Sequence, residues 1–167
     1  MNTQKILEGK FVILKNLSQE YIPDYLDMFS PVIQKILGVS SVWSEFEYVH
    51  TRLHKQDINK LFFYVIFKKA DNFLIGSIEI RSPEHRGQLY TWLHEQYWSQ
   101  GLFQEAFVLA SRDYFIHNHQ ETNFTARVDI SNQRSLKALL KLGCTTIRKT
   151  RGAREDQHEL VCTRTVM

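Results

Sequence analysis

Residues 97–107 read YWSQGLFQEAF, a stretch with one glycine, after which apolar residues recur at helical spacing. Gly101 stands where a loop gives way to a helix over about 102–117, and Phe103, Ala106, Phe107, Ala110 and Tyr114 share one stripe of that helix. The N-terminus of a helix presents unpaired backbone N–H groups and the positive end of the helix dipole. Such a junction is therefore either an anion site or a plain turn. One glycine does not decide between them, and the flanking elements must.

Working outward, QLYTWLH (88–94) before the junction and FTARVDI (124–130) after its helix both alternate as strands, so this step is a strand–helix–strand crossover between parallel strands. Upstream, LFFYVIFKK (61–69) and FLIGSIEIR (73–81) are strands joined at Asp71-Asn72, and SPEHRG (82–87) turns the chain into 88–94. That is an antiparallel meander. Before it come the strand FVILKNL (11–17) and a helix capped by Ser18, with Ile22, Tyr25, Leu26 and Phe29 on one face and Ser30-Pro31 as its stop. A second helix is signalled by the capping box Ser44-Glu45-Phe46-Glu47, with Phe46, Val49 and Leu53 as its apolar positions. After the crossover, a helix from Asn132 closes at Gly143, and CTTIRKT and HELVCTRTV form a last pair of strands. The expectation is an α/β (α+β) fold with a mixed, mostly antiparallel central sheet of about seven strands flanked by about four helices. One domain, 1–167, accounts for it.

Composition agrees with this. A chain of 167 residues, 43% of them hydrophobic, can bury one sizeable core. The 21 Lys+Arg against 18 Asp+Glu are spread along the chain, which argues against a nucleic-acid partner while leaving an anionic ligand open. No apolar run reaches the roughly 18 residues of a membrane span, and MNTQKILEGK has no secretion-signal core. A soluble cytoplasmic protein is expected, monomeric or homodimeric. Cys144 and Cys162 read as two reduced core thiols, without metal-site spacing.

Two blocks, TWLHEQYWSQGLFQEAF (91–107) and ARVDISNQRSLKALLKLGC (126–144), resemble the GNAT superfamily of acyl-CoA-dependent N-acyltransferases, and within it the RimJ/RimL-type ribosomal-protein N-acetyltransferase branch. There the first block usually reads like YWLxPxYWGKGYATEA and the second like ARVxxxNxxSxxLLEKLGF. The resemblance implies acetyl-CoA as acyl donor, no metal, and a small-molecule or peptide amine as acceptor. It implies that backbone groups of Trp92, Leu93 and His94 face the acetyl-pantetheine arm. The N–H groups of Ser99, Gln100, Gly101, Leu102 and Phe103 would cradle the pyrophosphate, a task that asks little of side chains but needs the conformational freedom of Gly101. Asn132 would bond the pantetheine arm, and Ser135, one turn on, would lie near the sulfur. The plain reading of Asn132 is a helix cap.

The chain departs from the pattern in three places. Phe103 stands where the branch usually has Ala or Met, and its helical stripe makes it a packing residue. Gln88 replaces the glutamate that often serves as general base, and an amide cannot take a proton. Leu139 replaces the tyrosine often used as general acid, which leaves Ser135 as the remaining donor. If the 82–87 turn pairs Arg81 with Gln88, then Glu79 faces Tyr90 and Ser77 faces Trp92 on one polar side of the sheet. A bulge in this strand would change the parity. That side is the expected acceptor groove, with Gln88 and Tyr90 contacting substrate and Glu79 as the substitute base. The competing reading of Glu79 is an ion pair with Arg81 or Arg86. Among the histidines, His117 and His119 read as a solvated helix end rather than a metal pair, and His85 and His94 rank below Glu79 as proton relays. A non-catalytic CoA-binding module is the alternative that Gln88 and Leu139 suggest.

Overall fold

The computed structural model describes residues 4–55, 61–82 and 87–164. Its strands are β1 (Ile6–Glu8), β2 (Val12–Asn16), β3 (Phe62–Lys68), β4 (Phe73–Ile80), β5 (Leu89–Leu93), β6 (Asn123–Asp129), β7 (Thr145–Arg151) and β8 (Asp156–Thr163). Its helices are α1 (Ile22–Met28), α2 (Pro31–Leu37), α3 (Val42–Lys55), α4 (Leu102–His117) and α5 (Gln133–Lys141). Strands β1 to β5 form one antiparallel sheet in chain order, and β6, β8 and β7 form a second. The predicted parallel step through α4 shrinks to a single bridge between Gln88 and Thr125, where the Thr125 N–H donates to the Gly87 carbonyl at 2.9 Å. Beyond that point β5 and β6 part, leaving a cleft between them.

The central strand β3 shows how one sequence serves two cores. Phe62, Tyr64 and Ile66 face α4, packing with Val12, Leu14, Ile78, Ile80, Phe107 and Ala110. Phe63, Val65 and Phe67 face the other way, into the layer of α1 to α3 with Tyr25, Phe29, Ile33 and Val49. This division follows the period of two along a strand buried on both faces. In β4 the parity breaks at Ile75, because the register with β3 shifts from Ile66 opposite Gly76 to Phe67 opposite Leu74. Leu74 therefore joins the α1–α3 core, while Ile75 and Ile78 both join the α4 core. The β4–β5 register is as the sequence suggests: Glu79 pairs with Tyr90, Ser77 with Trp92, and the Arg81 N–H donates to the Gln88 carbonyl.

Two elements and two boundaries differ from the sequence reading. Ser18 precedes a 3-10 turn, Gln19–Tyr21, and its side chain caps no helix, so α1 begins at Ile22. Strand β1 is too short to show a period. Ser30-Pro31 does end α1, but it also starts α2: Pro31 takes the first helical position and Ser30 Oγ accepts from the Ile33 N–H at 3.3 Å. Helix α3 begins at Val42, with Ser41 Oγ accepting from the Ser44 N–H, so Ser44 lies inside the first turn and Glu45 turns into the protein, 2% exposed. The cysteines also differ from expectation. The register that sets Thr145 opposite Val161 brings Cys144 beside Cys162, with Cα atoms 4.4 Å apart, and they form a disulfide instead of standing as free thiols.

Candidate active site

The cleft between β5 and β6 holds a cavity of about 840 Å³. One end is the loop from Trp98 into α4. Ser99 (φ 62°) and Gly101 (φ 77°) both adopt the left-handed conformation, and Gly101 is the N-cap of α4 with no side chain capping the helix. The first-turn N–H groups are thus left for another partner. A Cβ built on Gly101 meets no protein atom within 4 Å, so glycine is required there by its φ and by whatever enters the open space, not by protein packing. The acidic residue of this turn, Glu105, faces away from the cavity and accepts the N–H groups of Lys10, Phe11 and Val12 at 2.7–2.8 Å, tying α4 to β2.

One wall is β5. Because Gln88 and His94 direct their backbone groups at β4, the latter donating N–H to the Ile75 carbonyl at 2.8 Å, strand alternation sends Tyr90 and Trp92 the same way. The N–H groups of Thr91 and Leu93 then point toward β6 and the cleft. This corrects the expectation for Trp92 and His94, whose backbone groups belong to the sheet, and adds Thr91. The Leu93 carbonyl is already taken by Trp98 Nε1 at 2.7 Å. His94 does not border the cavity, and its Nδ1 accepts from the Gln96 N–H as the cap of a short 3-10 turn. Trp92 borders the cavity, and its largely buried side chain packs against Tyr25 and Phe29, Nε1 donating to the Tyr25 hydroxyl at 3.0 Å.

The opposite wall is the start of α5. Asn132 is the helix cap, its Oδ1 accepting from the Ser135 N–H at 3.3 Å, and its Nδ2 donates to no group among the described residues. The cap and the ligand contact are compatible, one atom serving each. Ser135 is half-buried on the cavity wall, with Leu139 one turn further on. Phe103 is half-buried, packs 6.1 Å from the Phe107 ring and also borders the cavity.

Sequence reasoning missed the far side. There Ile36 and Leu37 of α2 and its C-cap Gly38 meet the β7–β8 turn, whose Arg154 donates to the carbonyls of Lys35 (2.5 Å) and Ile36 (2.8 Å) and pairs with Asp129. It also missed Arg134, which stacks 3.9 Å over the Trp98 ring and adds a cation beside the α4 loop. Neither signal was available along the chain, since both pairs meet only across the cleft.

Glu79 lies elsewhere. On the face shared by Ser77, Glu79, Tyr90 and Trp92, Ser77 and Glu79 are fully buried, while Tyr90 is only partly buried. Arg52 forms an ion pair with one carboxylate oxygen and Tyr48 donates to the other. Glu79 does not border the cavity. Its partner is Arg52, while Arg81 bonds Tyr48, and residues 83–86, with His85 and Arg86, lie outside the described residues. His117 and His119 place Nδ1 on helix carbonyls, and no group of three metal-ligating side chains occurs among the described residues. Gln88 and Tyr90 do border the cavity.

A cleft opened by two parting strands, with an uncapped helix N-terminus at one end and a capping asparagine across from it, is also where the family comparison falls. The model of the acetyltransferase (GNAT) domain matches residues 12–145. The chain belongs to the GNAT acetyltransferase family. As a GNAT protein it is an acetyl-CoA-dependent acyltransferase, the activity that the two motif blocks imply. No curated protein sequence matches the chain. Among solved structures, the GNAT chain is similar to a RimL ribosomal L7/L12 alpha-N-protein acetyltransferase at 15% identity and TM-score 0.80, covering 97% of this chain and 96% of that one. It is also similar to an acetyltransferase from Agrobacterium tumefaciens (20%, TM-score 0.73, covering 98% and 97%). A third is the microcin C7 self-immunity acetyltransferase MccE in complex with acetyl-CoA and AMP (13%, TM-score 0.74, covering 93% of each chain). At these identities the likeness is one of fold.

Proposed function

We propose that this GNAT chain is a single N-acetyltransferase domain of the RimJ/RimL-type branch, transferring acetyl from acetyl-CoA to a primary amine by direct attack in a ternary complex. The observation that carries this is the cleft itself: backbone donors of β5 and the α4 loop and the side chains of Asn132 and Ser135 all converge on one cavity. Acetyl-CoA supplies the activated acyl group as a thioester. The N–H groups of Ser99 through Phe103 bind its pyrophosphate, and Arg134 adds charge beside them. Asn132 Nδ2 holds the pantetheine arm, while the Thr91 and Leu93 N–H groups face the thioester and stabilise charge on its oxygen. Ser135 Oγ donates to the departing sulfur. Gln88 and Tyr90 position the amine near where β5 and β6 begin to part. Glu79 holds Arg52 and Tyr48 in place beneath α3 and takes no proton.

The MccE and RimL structures carry names of acetyltransferases, one of them for a protein α-amine, and a peptide amine is the acceptor class we favour. The test is CoA release from acetyl-CoA with a panel of peptides bearing a free α-amino group, a polyamine and an amine-bearing antibiotic. Release that depends on at least one amine, with initial-rate lines that intersect, is expected. Release independent of every amine, or parallel lines with an acetylated enzyme, overturns the reading. Amine-independent binding alone would leave a CoA-binding module.

A further inference from the structure

The amine must lose a proton, and neither Gln88 nor the buried, ion-paired Glu79 takes it. A second buried carboxylate lies in the same layer. Glu45 of α3 is 2% exposed and accepts from the Tyr25 hydroxyl at 2.5 Å and from the Tyr90 hydroxyl at 3.3 Å. Among the described residues, Tyr90 is the one that both borders the cavity and bonds this carboxylate. Trp92 also borders the cavity and reaches Tyr25, but an indole N–H is a donor only and relays no proton inward.

We propose that Glu45, reached through the Tyr90 hydroxyl, is the terminal proton acceptor for the amine in the cavity. The inference rests on the amine-acetylation reading above. Before attack, the ammonium nitrogen passes one proton to Tyr90 Oη while the phenol's own proton moves to Glu45 Oε2; the neutral amine then forms the C–N bond as the C–S bond breaks, and its second surplus proton leaves to water. The carboxylate becomes a carboxylic acid and Tyr90 ends neutral. The departing thiolate is held by Ser135, and Glu45 returns its proton along the same path to the thiolate or to water once the product leaves.

The electrostatics of the two carboxylates separate them. Glu79 is neutralised by Arg52, whereas no cation among the described residues forms an ion pair with Glu45. A buried carboxylate without a cation costs stability, and such costs concentrate where a group is used. Burial lifts Glu45 above the ordinary carboxylate range, the Tyr25 and Tyr90 hydroxyls pull it back, and the charge of Glu79 on β4 raises it. Burial, with Glu45 second, pushes the Tyr90 phenol far above its usual range, so it passes a proton on rather than ionising. The remaining charged or titratable groups around the pair are Tyr48 on α3 itself, which bonds Glu79, and Arg81 at the end of β4, whose guanidinium lies 6.0 Å from the Tyr90 ring.

The test uses acetyl-CoA and a short peptide whose α-amino group has a pKa of about 7.7–8.0. Glu45→Gln should lower kcat/KM for the peptide by roughly 10²-fold below pH 7, a defect that shrinks as pH approaches the amine's own pKa. Tyr90→Phe should reproduce the defect and its pH dependence. The double variant should be no worse than either single one, because the two act as one relay. The thermal shift produced by acetyl-CoA should be unchanged in both. A folded Glu45→Gln protein with the full rate and pH profile overturns the proposal, as do losses that multiply in the double variant. If Glu45→Gln does not fold, Tyr90→Phe carries the same test. Should the wild type not acetylate the peptide, the amine reading fails separately, and carboxyl NMR titration of Glu45 still decides the relay. A midpoint above the ordinary carboxylate range that Tyr90→Phe raises further supports it, whereas a midpoint indifferent to Tyr90 overturns it.

Discussion

The two ends of the acceptor and donor machinery are built from different materials. At the α4 loop the site is backbone: amides of residues 99–103, a left-handed Ser99 and Gly101, and a helix dipole. Under α3 it is side chain: Tyr25, Glu45, Tyr48, Arg52, Ser77, Glu79 and Tyr90, brought from two helices and two strands into one hydrogen-bonded layer. A backbone site tolerates side-chain variation around one obligatory glycine. A side-chain network tolerates variation only where charge and hydrogen bonds stay balanced, and there one carboxylate, Glu79, pairs with Arg52 while the other, Glu45, has only hydroxyl partners among the described residues.

The sharpest way to break this division is at Glu79. Glu79→Ala leaves the largely buried Arg52 guanidinium without its partner and should cost about 3–5 kcal/mol of unfolding free energy, measured by urea denaturation. A loss below about 1 kcal/mol would mean that the ion pair is not structural and would return Glu79 to the list of bases. Next is Gly101→Val. Saturating acetyl-CoA at about 100 times its dissociation constant should stabilise the wild type by about 2.7 kcal/mol. The valine variant should lose most of that shift, and its apo form should fall by about 1–2 kcal/mol because a β-branched residue is forced to positive φ. An intact shift would put the pyrophosphate elsewhere.

Ser135→Ala probes the wall between the two ends. Its hydroxyl matters most as charge develops on sulfur, so kcat should fall about tenfold, equivalent to about 1.4 kcal/mol, with KM for acetyl-CoA nearly unchanged. An unchanged kcat would make Ser135 a small residue on a helix face. The smallest effect is on the stability of Glu45→Gln. A carboxyl whose pKa is raised by folding contributes fully below the ordinary carboxylate range, and that contribution is lost as pH rises through the raised value. Removing the charge should therefore help the folded state more at pH 8 than at pH 4, seen as a melting-temperature difference that grows with pH. A difference that shrinks with pH would show a carboxylate stabilised in its ionised form, like a structural ion pair.

Much of the fold was legible along the chain. Helix α4, its buried stripe, the β4–β5 register and the α5 cap with its Gly143 closure all follow from spacing, turn residues and local hydrogen bonds. The start of α3 was not. Ser41 and Ser44 both offer a capping hydroxyl, and the choice between them depends on which helical face meets α1 and the sheet. That one turn of difference decides whether Glu45 is an exposed first-turn acid or a buried one.

By itself, the sequence determined most of the element order, though not β1 or α2, together with the helix α4 between β5 and β6, the glycine at its N-terminus, and the pairing that sets Glu79 beside Tyr90. These are consequences of local periodicity and backbone conformation, which a chain carries wherever it goes. Tertiary structure alone decided that the polar face of β4 lies beneath α3 rather than open to an acceptor, and that Glu79 meets Arg52. It also decided that Cys144 bonds Cys162, that Arg154 spans the cleft to α2, and that Glu45 meets Tyr90. Each is an encounter between distant segments, and burial changes what a charged group does once its neighbours are known.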